Sequence, residues 1–222
     1  DSSEKTEDPT GKKLEKARQK GQVARSRELS TTLVLIVSAF MFIFMGGWIA
    51  ESLFALTKRM FVLSRDETYD TTHMFAAWGE AFTSISSPVL LYMIVAMIAG
   101  IYGSIALGGY NFTWEGTKPK GSKMNPLSGF KRMFGTNGLV ELLKSIAKVV
   151  VVIGMAIGAL LYFQDEALHL DMELYPRNIF QALDMLQWAF LILACAMIPI
   201  AIIDVPYQMY KHNEEMKMTK QE

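Results

Sequence analysis

Three observations predict an all-α membrane protein, with four long hydrophobic helices arranged as two helical hairpins joined by a long cytosolic loop. First, charges are expelled from four runs: Leu29 to Thr57, where only Glu51 is charged, Ala81 to Trp114, Val149 to Gln164, and Met185 to Ile203. About 20 apolar residues span a bilayer as a helix, and a helix satisfies its own backbone there. Second, the cations are lopsided. If the runs cross a membrane, one side holds eight Lys/Arg from the N-terminal segment, seven from the middle loop and its flank, and three from the tail. The other side holds only Lys58, Arg59, Arg65 and Arg177. This positive-inside bias places both ends and residues 108–137 in the cytosol, with residues 63–72 and 165–176 outside. Third, a middle connection of roughly 30 residues, longer than the about 15 usual for a plain loop, lies between the two hairpins so defined.

Mean composition decides less than its segregation. A hydrophobic content of 51% is ordinary for a soluble chain. The formal net charge of zero points to no nucleic-acid partner. Cys195 lies inside the fourth run, where a packing role is expected and no intramolecular disulfide can form. The first run is too long for a signal-peptide core and follows 28 polar residues. Because the chain starts with Asp and ends on a charged, helix-prone stretch, it is expected to be part of a longer protein.

Residues 1–28 form a basic cytosolic arm. Pro9-Thr10 can start a short helix over Lys12 to Lys20. Its thin apolar face, Leu14 and Ala17, suggests a solvated arm, the alternative being a helix lying on anionic lipid.

Residues 29–107 form the first hairpin. The first helix extends from near Glu28 to about Val62, roughly 50 Å, which outruns a hydrocarbon core of about 30 Å. The second is similarly long, because Met74, Trp78, Phe82 and Ile85 recur one turn apart ahead of Pro88. Such helices project beyond the bilayer or are covered by other subunits. Ala96, Gly100, Ser104 and Gly108, at four-residue spacing, strip one face of bulk for close helix packing.

Residues 138–210 form the second hairpin. On the third helix Leu139, Leu142, Leu143, Ile146 and Val150 share a face, with Glu141, Lys144 and Lys148 on another. Lys148 must snorkel or face a partner. Gly154 and Gly158 repeat the small-residue spacing more weakly. The fourth helix is expected from about Arg177 to Tyr210, bent by Pro199 and Pro206. Residues 211–222 begin a cytosolic linker helix.

No catalytic constellation is visible. His73, His169 and His212 fall in separate segments without metal-ligand spacing, so neither a metal nor a cofactor is expected. Intramembrane charges are functional candidates by default. Glu51 and Asp204 lie near the ends of their runs, however, and an inexpensive interfacial position explains both. The 15 methionines suggest adaptable packing surfaces.

The middle loop, residues 108–137, is the candidate binding segment. A loop longer than about 15 residues is functional or disordered, and a disordered linker is poor in large apolar groups. This one keeps Tyr110, Phe112, Trp114, Met124, Leu127, Phe130, Met133 and Phe134, interleaved with Lys118, Lys120, Lys123, Lys131 and Arg132. Asn125, Pro126 and Gly129 mark a turn inside it. On these residues the loop docks onto a partner, the alternative being a membrane-surface or re-entrant loop.

Three separated motifs then carry a resemblance. Asn125-Pro126-Leu127-Ser128-Gly129-Phe130-Lys131-Arg132-Met133-Phe134 followed by Leu139-Val140-Glu141-Leu142-Leu143-Lys144 resembles the FlhB family of type III export-apparatus proteins. Lys5-Thr6-Glu7-Asp8-Pro9-Thr10, Lys13-Leu14-Glu15-Lys16-Ala17-Arg18, Gly21-Gln22-Val23 and Ser26-Arg27-Glu28-Leu29 resemble its opening. Lys217-Met218-Thr219-Lys220-Gln221-Glu222 resembles the start of its linker helix. The resemblance implies a multi-pass protein of the bacterial inner membrane at the flagellar basal body. It implies association with the FliP, FliQ and FliR export gate and with FlhA, with exported flagellar proteins as cargo and membrane lipid around it. In the family a C-terminal cytosolic domain cleaves itself at Asn-Pro-Thr-His and switches substrate specificity. Here the only Asn-Pro is Asn125-Pro126, followed by Leu127, so no residue of this chain is assigned to self-cleavage and no enzyme activity is expected.

The expected function is therefore a gate-associated membrane subunit of the flagellar machine. The alternatives are the injectisome homologue, or a small oligomeric four-helix transporter, which calls for midplane polar groups and repeat symmetry. A membrane enzyme would need a convergent set of reactive side chains.

Overall fold

The structure, a computed structural model, describes residues 7–62, 65, 69, 71–111, 135–172 and 174–218. Among them are helices α1 (Gly11–Gln19), α2 (Arg27–Phe61), α3 (Thr71–Ile105), α4 (Thr136–Leu168), α5 (Arg177–Cys195) and α6 (Met197–Met216), with a 3-10 turn at Leu170–Met172. No strand occurs among the described residues, only an isolated antiparallel bridge between Glu7 and Met218. The fold is all-α. Four helical stretches, Arg27–Phe61, Phe75–Ile105, Gly138–Met172 and Arg177–Met216, are long and apolar enough to cross a membrane.

The expected fourth helix is not continuous. It is broken at Ala196 into α5 and α6. The cause is Pro199, which has no N–H to give the Cys195 carbonyl one turn earlier, and whose ring crowds that carbonyl. Pro206, by contrast, sits inside α6, and Pro88 lies fully buried inside α3.

The chain divides into two compact units. One comprises Asp1–Thr32, Ile101–Met155 and Ala196–Glu222, the other Leu33–Gly100 and Ala156–Cys195. Among the described residues eleven cationic side chains belong to the first unit and four to the second. The lopsided charge count in the sequence is thus also a division of the fold.

In the second unit α2 packs on α3 and α5. Phe42 meets Tyr92 with ring centroids 5.4 Å apart and Phe190 at 5.7 Å, and Arg59 pairs with Glu80 at 3.2 Å. Helix interiors are nevertheless thinly covered: the most apolar window of α4 is only 6% buried by the chain itself. Membrane lipid or other subunits must cover the rest, because water would leave this much apolar surface costly.

In the first unit the N-terminal arm is mostly exposed but is anchored at a few points. Helix α1 ends in a left-handed Gly21 (φ 76°), with Gly21 N–H donating to the Arg18 carbonyl and Gln22 N–H to that of Ala17, both at 2.9 Å. This paired closure satisfies the last carbonyls and turns the chain sharply. Ala17 is buried, and the Asn111 side chain donates to the Arg18 carbonyl. Glu7 and Met218 exchange backbone hydrogen bonds of 3.1 and 2.9 Å, and Lys13 Nζ reaches the Lys217 carbonyl at 3.4 Å. Lys217 in turn hydrogen-bonds Glu214, which holds its ammonium above the ordinary lysine range.

Candidate functional site

The first unit contains a charge cluster that joins three helices. Ser26, just ahead of α2, accepts a hydrogen bond from the Leu29 N–H at 3.0 Å, the pattern of an N-cap. Its hydroxyl donates to Asp204 Oδ2 of α6 at 2.6 Å. The other carboxylate oxygen accepts from Lys144 Nζ of α4 at 2.7 Å and from Gln208 at 3.2 Å. Asp204 is only 3% exposed, so three donors replace the water it has lost. Lys144 also lies 3.7 Å from Glu141 and 4.0 Å from the centre of the Tyr207 ring, a cation–π arrangement. A second tie runs from Lys148 Nζ to Glu28 Oε1 at 2.7 Å. Glu28 is in the first turn of α2, where a negative charge also complements the helix dipole.

These contacts were not anticipated from the sequence. Asp204, expected near the end of its run, is also buried by the chain and paired. Glu51 is exposed. A usable signal was present: Glu28, Lys144, Lys148 and Asp204 all sit at the edges of apolar runs that the topology brings to one side, and their signs balance.

Chemically the cluster is a fastener. Every charge in it is already satisfied, so it offers neither nucleophile nor free base. Among the described residues no three His, Cys, Asp or Glu side chains gather as metal ligands.

The small-residue faces are resolved more finely than the spacing suggested. On α3 the closest approach is at Gly103, where a Cβ would fall 2.7 Å from Ser30 Cα, with Ala99 one turn earlier also buried. Gly100 would make ordinary contact with Val34 at 3.6 Å, and Ala96 is half-buried. Ser104 is exposed, its hydroxyl 3.5 Å from that of Ser30. The tight face is therefore Ala99–Gly103, one residue round from the Ala96, Gly100, Ser104 stripe. Gly108, beyond the helix end, does sit tightly, since a Cβ there would lie 2.7 Å from both the Ala24 carbonyl and Val23 Cβ. A Cβ at Gly154 or Gly158 would meet nothing within 4 Å.

Of the residues named for the middle loop, Tyr110 is 82% exposed just after Gly109, whose N–H closes on the Ile105 carbonyl at 2.8 Å. Phe112, Trp114, Lys118, Lys120, Lys123, Asn125, Pro126, Gly129, Phe130, Lys131, Arg132 and Phe134 lie outside the described residues.

Comparison with known proteins decides the relationship. Residues 3–222 match the profile of the FlhB HrpN YscU SpaS family. The chain belongs to this family. It is 32% identical to the flagellar biosynthetic protein FlhB of Bacillus subtilis over 99% of its length, covering 61% of that protein. It is 31% identical to FlhB of Escherichia coli over 100% of its length and 58% of the relative. The Yop proteins translocation protein U of Yersinia pestis is also 31% identical, over 100% of the chain and 62% of the relative. The chain thus spans about six-tenths of the length of these relatives. With four candidate spans, this member of the FlhB family is a membrane protein.

Proposed function

We propose that the chain is the membrane-embedded part of a flagellar type III export-apparatus subunit in the bacterial inner membrane. The observation that carries this reading is the family match over residues 3–222. On this reading both termini and residues 108–137 face the cytosol, where the loop docks on the FliP, FliQ and FliR gate, with FlhA nearby. The subunit acts mechanically, controlling the opening of a pore made by others for exported flagellar proteins. Substrate switching belongs to the part of the relatives' length that the chain does not span.

The fold supports the mechanical role. The cation-rich unit ties the arm, the ends of α2 and α4, and all of α6 through Asp204, Lys144, Glu28 and Lys148. The loop leaves from that unit at Gly109 and returns to it at Thr136. A rigid base on each side of a long loop limits the freedom lost when the loop docks.

The test is affinity purification of the full-length protein from a strain with an intact flagellar system. FliP, FliQ and FliR are expected to co-purify at fixed ratio. Their absence, with the protein folded and in the membrane, sinks the reading. Co-purification with injectisome gate subunits instead would move the protein to the virulence system.

A further inference from the structure

The second unit contains a cavity of about 1110 Å³ between α2 and α5. Its walls are aromatic and aliphatic, with Phe42, Phe54, Ile179, Leu186 and Phe190 among them, and Lys58 is the single formally charged residue on its lining. Next to it Arg59 is paired with Glu80, while Lys58 has no ion-pair partner among the described residues. Near the other end the Gln187 amide occupies the space a Gly46 side chain would take, since a Cβ there would fall 2.0 Å from Gln187 Nε2.

These features have the dimensions of one amphiphile. Gly46 and Lys58 are twelve residues apart on one helix, or about 18 Å at 1.5 Å per residue. One leaflet of a hydrocarbon core about 30 Å thick is about 15 Å deep. A lysine at headgroup depth extends its ammonium toward phosphate while its stem stays against apolar surface. A helix of a partner subunit, about 10–12 Å across, would leave this lone cation uncompensated unless it also supplied an acid at that depth.

We propose that this trough holds one anionic phospholipid, its acyl chain along α2 and α5 and its phosphate on the Lys58 ammonium. The site is independent of gate docking.

The full-length protein in detergent would be titrated with short-chain phosphatidylglycerol and phosphatidylcholine, with bound lipid counted by native mass spectrometry. One saturable phosphatidylglycerol per chain is expected, bound about five-fold tighter than phosphatidylcholine, the scale of one lysine beside an anionic headgroup. Lys58→Gln should remove that preference, and Ala50→Trp, which fills the trough, should weaken both lipids. Arg59→Gln should leave the preference in place. The proposal is overturned by a preference unchanged in Lys58→Gln, by undiminished binding in Ala50→Trp, or by a trough that takes up no lipid and is covered only by a co-purified protein subunit.

Discussion

Lys144 and Asp204, sixty residues apart in sequence, meet at 2.7 Å on α4 and α6, and the same carboxylate reaches the cap of α2 through Ser26. One buried acid therefore holds three helices. The pair costs desolvation to form, but it costs more to break once formed, because removing either partner strands the other charge.

Single substitutions should show that asymmetry. Asp204→Leu leaves Lys144 with only the exposed Glu141 and the Tyr207 ring beside it and should destabilise the detergent-solubilised protein by about 2–4 kcal/mol. The double variant Lys144→Met, Asp204→Leu removes both charges and should lie closer to wild type than either single change. Thermal unfolding of wild type, Lys144→Met, Asp204→Leu and the double variant forms a double-mutant cycle. Additive losses would mean that the two residues do not act as a pair.

The Glu28–Lys148 pair should matter less. Lys148 keeps a third of its side-chain surface in solvent, with Glu28 at 18%. Screening there limits Glu28→Gln to about 1 kcal/mol or less. A loss equal to that of Asp204→Leu would place the keystone at the wrong acid.

Close packing of α3 makes a positional prediction. Gly103→Ala puts a methyl 2.7 Å from the Ser30 backbone and should cost about 1–3 kcal/mol, whereas Gly100→Ala makes ordinary contact and should be nearly neutral. Gly154→Leu and Gly158→Leu should leave the isolated chain intact, because a Cβ at either would meet no neighbouring element among the described residues within 4 Å. If those two changes block only assembly, another subunit packs there. Equal losses at Gly100 and Gly103 would contradict the observed register.

Much of the fold was legible because hydrophobic segregation is a long-range signal carried by many residues. The run Leu29 to Thr57 became Arg27–Phe61, and proline chemistry at Pro199 marked the region where the fourth helix breaks. Of the glycine stripe, Gly108 packs tightly and Gly100 makes ordinary contact, while the close approach at Gly103 was not read from the spacing. Spacing identifies faces without bulk, but only the partner's position, here Ser30, selects which face is used. The partners of Asp204 were not legible for a related reason. Proximity to a run's end looks interfacial in one dimension, and nothing local to residue 204 signals Lys144 or Ser26 across the fold. The middle-loop residues Phe112 to Phe134 rest on sequence chemistry and the family resemblance.

Topology is checked by labelling in intact cells after Cys195→Ala. With both termini cytosolic, Ser64→Cys should react with an impermeant maleimide from outside and Lys120→Cys only after permeabilisation. The reverse pattern inverts the charge-based orientation.

The central claim is that the loop couples this membrane domain to an export gate. Its most direct test is secretion of flagellar proteins into the medium by cells whose only copy of the full-length protein carries Phe130→Ala and Phe134→Ala, with membrane abundance measured in parallel. Losing two aromatic anchors, each worth about 2 kcal/mol at an interface hot spot, should lower secretion at least several-fold while abundance stays at the wild-type level. Unchanged secretion at unchanged abundance would make the loop a passive tether and contradict the account.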